Sequence, residues 1–65
     1  MRKIKAFRAG EVDITVEFDP VYYEYVVRMF HNGFEDRDSK YCTDDKEDAI
    51  STARHMFKSF LSADL

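Results

Sequence analysis

The chain has 65 residues, 45% of them hydrophobic and 35% charged, with a net charge of −3 and a single cysteine. That length holds one small domain, spanning 1–65, and the apolar share is too high for a disordered segment. Cys42 has no partner for an internal disulfide, so the disulfide-stapled secreted scaffolds are excluded. No apolar run approaches the roughly 18–20 residues of a membrane-crossing helix, and Met1-Arg2-Lys3 is not followed by a signal-peptide core. The expected setting is the cytoplasm, away from membranes.

The first element is a basic strand over about 2–8, with Arg2, Lys3, Lys5 and Arg8 making residues 1–10 a local +4. After Ala9-Gly10-Glu11, Val12, Ile14, Val16 and Phe18 alternate with Asp13, Thr15 and Glu17. This is the period-2 pattern of a half-buried strand over 12–18. A three-residue loop with Gly10 in the left-handed region pairs Arg8 with Val12, Ala6 with Ile14 and Ile4 with Val16. It also sets Lys3 against Glu17, whereas the two-residue loop is expected to oppose Lys5 to Ile14 and Lys3 to Val16, burying charge, and is set aside.

Asp19-Pro20 reads as a tight turn, and the β-branched and aromatic run over 21–30 as the longest strand. Val21, Tyr23, Tyr25, Val27 and Met29 then face the core. His31-Asn32-Gly33-Phe34 carries the Asn-Gly dipeptide of a type I′ hairpin. Strict pairing beyond it places Asp36 and Asp38 on the core face. Either a bulge intervenes, or the chain loops through 36–39 and pairs only as a short edge at 40–42.

A helix over about 44–62 completes the chain. Thr43, Asp44 and Asp45 can each cap it, Glu47 and Asp48 suit its first turn, and Ala49, Ile50, Ala53, Met56, Phe57, Phe60 and Leu61 form one apolar stripe. The expected fold is therefore α+β. It is an antiparallel meander of three to four strands with one C-terminal helix on one face, in the order ββββα.

Candidate chemistry is sparse. His31 falls in a turn and His55 on the polar side of the helix, so both are read as solvated surface residues. Cys42 adjoins the helix start, but its acidic neighbours oppose a reactive thiolate, and a small buried hydrophobe is the expected role. The histidines and cysteine lack zinc-ligand spacing, and two glycines are too few for a phosphate-binding loop. Counted from Asp36, an EF-hand-like loop places Asp38, Asp44 and Glu47 suitably, but Lys40 and Tyr41 stand where a ligand and a glycine are required. No catalytic group, cofactor or metal is expected, and the chain is read as no enzyme.

The sheet face left bare by one helix carries more information. In the expected register it bears Lys3, Lys5, Phe7, Asp13, Thr15, Glu17, Tyr22, Glu24, Val26, Arg28 and Phe30. Antiparallel sheets tolerate such a mixture facing water, yet Tyr, Phe and Arg are also the residue types enriched where proteins bind one another. A second surface is acidic: Glu35, Asp36, Asp38, Asp44, Asp45, Glu47 and Asp48 against Arg37, Lys40 and Lys46 make residues 35–48 a local −4.

The leading expectation is a small acidic protein-binding module that occludes a site on a larger host protein or nucleic-acid enzyme. That is the character of phage and mobile-element inhibitors, compared on size and composition alone. Its contact residues are Tyr22, Glu24, Val26, Arg28 and Phe30 on the sheet, together with Glu35, Asp36, Asp38, Asp44, Asp45 and Asp48. Two further readings are a homodimer joined through the open face and a weak nucleic-acid binder using the sheet aromatics. Net negative charge counts against the last.

Overall fold

Val12, Ile14 and Val16 are aliphatic side chains on one side of the 12–19 segment, and a strand carrying them must be covered on that side. The computed structural model describes residues 1–62, in which this segment is an inner strand of a five-stranded antiparallel sheet. The elements are β1 (Arg2–Ala9), β2 (Val12–Asp19), β3 (Glu24–His31), β4 (Phe34–Glu35), β5 (Tyr41–Thr43) and α1 (Lys46–Ser62), with a 3-10 turn at Arg37–Ser39. The first four strands form the expected meander, and β5 joins β3 on the same side as β4. Helix α1 covers one face and seals Val12, Ile14, Val16 and Val27 with Ala49 and Ala53. Those two alanines let the helix approach the sheet closely, while Phe57 meets Phe7 with ring centroids 5.6 Å apart.

The β1–β2 register departs from the three-residue loop expected. The turn has two residues, Gly10 and Glu11, so Ala9 faces Val12, Phe7 faces Ile14 and Lys5 faces Val16. Gly10 has φ +58°, as the first central position of a type II′ hairpin requires. The pairing then slips between Lys3 and Lys5, which restores the expected partnership of Lys3 with Glu17 and lets Ile4 pack against the core. Phe7 drives this choice: it brings more apolar area to the helix face than Ala6 would. Phe7 and Lys5 accordingly leave the open face on which they were expected, and the Lys5 ammonium lies 5.6 Å from the Phe7 ring centre.

Strand β3 begins at Glu24 instead of residue 21. The Asp19 carboxylate accepts the Val21 N–H at 2.9 Å, and Tyr23 adopts φ +56°. A side-chain bond two residues ahead and one left-handed residue together reverse the chain within Pro20–Tyr23. Local β-propensity is overridden there, and Val21, Tyr22 and Tyr23 leave the strand for the loop.

Asn32 and Gly33 make the expected I′ turn, with φ values of +56° and +84°. The chain then pairs only through Phe34 and Glu35, turns through Arg37–Ser39, and rejoins β3 with Thr43 opposite Tyr25 and Tyr41 opposite Val27. Of the two routes open in the sequence, the loop with a short edge strand is the one taken. Asp36 organises it by accepting the Asp38 N–H and the Ser39 hydroxyl.

Asp45 is the residue that caps α1, taking the N–H groups of Glu47 and Asp48. The helix thus starts at Lys46, two residues later than expected. Cys42 is exposed on β5 and does not fill the core. Among the described residues, no helix is long and apolar enough to cross a membrane.

Candidate functional site

Part of the face opposite α1 is covered by its own side chains. Arg28 donates from Nε to Glu17 at 2.8 Å and from Nη1 to both Glu35 oxygens at 3.2 and 3.0 Å. Partial burial draws this guanidinium pKa down, but the bonds to Glu35 and then Glu17 outweigh it and hold the group above its ordinary value. Thr15 faces Arg28 and Glu17 faces Val26 across the strands, so the Arg28–Glu17 diagonal passes between Thr15 and Val26. Those two residues are only 7% and 2% exposed although, among the described residues, no helix or strand lies over them. Arg28 and Glu35 are thus internally engaged, Val26 is buried, and Phe30 is half-buried.

This closure has a measurable cost. The Thr15 hydroxyl is buried with no hydrogen-bond partner among the described residues. Thr15→Val keeps the shape and removes the orphaned group, so it should stabilise the fold by about 1 kcal/mol. A thermal melt should show the midpoint rising by about 4–8 °C, and a fall would contradict the account.

Several acids of the second expected surface also have structural work. Asp36 and Asp45 are the caps described above, and Asp48 accepts the Tyr41 hydroxyl at 2.6 Å, joining β5 to α1. That bond to Asp48 is the main reason the Tyr41 phenol titrates above its ordinary value. Since the folded pKa is raised, the bond's stabilisation is complete below the unfolded phenol pKa and is lost as pH rises through the folded one. Asp48→Asn should bring one phenol titration down, read as the tyrosinate absorbance difference from wild type. Identical titrations would remove the bond from the account. Asp38 and Asp44 are exposed, and their own carboxylates make no hydrogen bond or ion pair among the described residues.

The prominent free surface is the β2–β3 loop. Val21, Tyr22 and Tyr23 are 80%, 75% and 78% exposed, side by side at one end of the sheet. Beneath them the Asp19–Val21 bond holds the backbone, and Phe18 supports Tyr23 edge-on with ring centroids 5.5 Å apart. Tyr22 therefore remains a candidate contact, but at a loop tip instead of on the sheet. Val21 and Tyr23 are additions, since the alternation had assigned them to the core. The available signal was Asp19-Pro20 ahead of them: an Asp that can bond two residues on favours a turn over immediate re-entry into a strand.

The structure divides the remaining expected contacts. Glu24 and Asp44 follow on from the Tyr25–Thr43 pair toward the end that bears the tip, and Asp45 and Asp48 belong to the start of α1 just after it. Phe30, Glu35, Asp36 and Asp38 belong to the half near the β3–β4 turn. At that far end a surface depression of about 480 Å³ is lined by Val12, Met29, Phe34 and Phe60 among others, with Phe34 exposed. Compared with protein-family models, curated proteins and solved structures, the chain matches none.

Proposed function

We propose that this chain is a non-enzymatic protein-binding module that docks through the Val21–Tyr23 tip and acts by covering a site on a larger protein. The exposure of three consecutive large apolar side chains on a braced loop carries this reading. Leaving such residues in water forfeits hydrophobic stabilisation that a small domain can ill spare. Tyr23 also occupies a left-handed conformation that a bulky residue adopts at a cost of about 1–3 kcal/mol. Tyrosine offers wide contact area with few rotatable bonds, which is why it is favoured at binding hot spots. The homodimer through the sheet face is a weaker reading, because the Arg28 network already occupies that face.

A photo-crosslinking amino acid placed at position 22 tests the proposal in cells, with position 51 on the exposed side of α1 as the control. A discrete adduct of larger mass should form from position 22 only. Equal labelling from both positions, or none from position 22, overturns it.

A further inference from the structure

We infer that the open sheet face holds a second site, separate from the tip, that takes a small aromatic carboxylate. It does not depend on the protein-binding reading.

A cavity of about 280 Å³ opens on this face beside the Arg28 network. Ligand sites run from about 300 to 1,000 Å³, so this one is sized for a small molecule. Ala6 and Thr15, opposite each other on β1 and β2, are the small side chains at its base. Along one side stand Phe30 and the Arg8–Asp13 ion pair, since Asp13 faces Arg8 on β1 and Phe30 on β3. Lys3 stands on the other. Lys3 and Ala6 are three apart and would face opposite ways in a regular strand, but the slip at Ile4 turns both to this face. Glu17, which faces Lys3 in the register, gives its carboxylate to Arg28 at 2.8 Å. Lys3 is therefore left as a cation with no ion pair among the described residues. Arg2 and Lys5 share that condition, but neither lines the cavity.

The Thr15 hydroxyl is an independent sign of a ligand. Thr15 lines this cavity and is only 7% exposed, yet its oxygen has no hydrogen-bond partner among the described residues. A buried polar group left so is destabilising, and a group that enters the cavity supplies the bond the fold omits. Rotation of Thr15 about Cα–Cβ between staggered positions exchanges hydroxyl and methyl, which suffices to present the oxygen. The chemistry of the lining then defines what enters. The hydroxyl donates to a carboxylate oxygen, the Lys3 ammonium balances one negative charge, and the Phe30 ring packs against an aromatic group. Asp13 already neutralises Arg8, so the single uncompensated cation calls for a monoanion. A dianion would meet the Asp13 carboxylate at close range.

Two-dimensional amide NMR of the full chain tests the site, with benzoate as the probe and benzamide as its neutral counterpart. Benzoate should give saturable shifts centred on Ala6, Thr15 and Phe30, and benzamide should bind about tenfold more weakly. Thr15→Val should weaken benzoate about tenfold or more while melting no lower than wild type, a combination that a purely structural role would not produce. Lys3→Gln should weaken it about fivefold. Ala6→Leu, which fills the base from an exposed position, should abolish binding. Shifts that grow without saturation, or that centre elsewhere, overturn the site. Equal binding of benzoate and benzamide, or unchanged binding by Thr15→Val, overturns a carboxylate held by Thr15 and Lys3. Tighter binding of phenyl phosphate than of benzoate overturns the monoanion. None of these outcomes bears on the adduct from position 22, so the two sites fail separately.

Discussion

Ile14→Ala should remove much of the stability of this protein. Ile14 is fully buried at the centre of β2, facing Phe7 on β1 and Met29 on β3, beneath the two alanines of α1. Truncating such a side chain costs about 2–5 kcal/mol, because the cavity left behind collapses only partly. At about 0.05–0.15 kcal/mol per residue, a chain of this size has on the order of 3–10 kcal/mol in total. The thermal midpoint, followed by far-ultraviolet circular dichroism, should therefore fall by well over about 10 °C. Leu61→Ala is the contrast: Leu61 is 47% exposed and should change the midpoint little. Similar small shifts for both would mean that the core does not lie between β2 and α1.

The second large effect separates binding from stability. Val21→Ser with Tyr22→Ser removes two side chains that make little contact with the fold, so the melt should stay within about 0.5 kcal/mol of wild type. Affinity for the partner trapped at position 22 should drop by about 100-fold or more, the loss expected when hot-spot residues costing about 2 kcal/mol or more are truncated. Isothermal calorimetry with that partner reads the affinity directly. Tyr23→Gly refines the picture. It relieves the left-handed residue but forfeits the edge-on contact with Phe18, worth about 0.5–1.5 kcal/mol, so stability should change little while binding weakens. Unchanged affinity in the double variant would move the contact away from this loop.

Much of the fold was legible because periodicity carries it. The alternation from Val12 to Phe18 specifies a strand, the stripe from Ala49 to Phe60 specifies a helix, and Asn32-Gly33 specifies its turn. What periodicity could not settle was where a strand begins and which of two registers a hairpin takes. Val21-Tyr22-Tyr23 continues the apolar pattern of β3 without a break, so only the Asp19 side-chain bond and the left-handed Tyr23 reveal the loop. Likewise, pairing Phe7 or Ala6 with Ile14 depends on a slip near Ile4 that leaves no local mark in the sequence. These two points moved the candidate site. The sheet aromatics became part of the fold, and the contact shifted to residues that pattern alone had placed inside.

The slip at Ile4 has a consequence for how the protein behaves at high concentration. A regular outer strand exposes a row of backbone donors and acceptors on which another chain can template, the usual route to fibrous aggregates. Here β1 is interrupted at Ile4 and studded with Arg2, Lys3, Lys5 and Arg8, so an incoming strand meets broken spacing and positive charge. On the opposite margin, β3 is covered by two short pieces separated by a 3-10 turn, which likewise present no continuous ladder. A chain that holds an apolar loop in water thereby denies itself the backbone route to self-assembly, leaving its side chains to determine what it associates with.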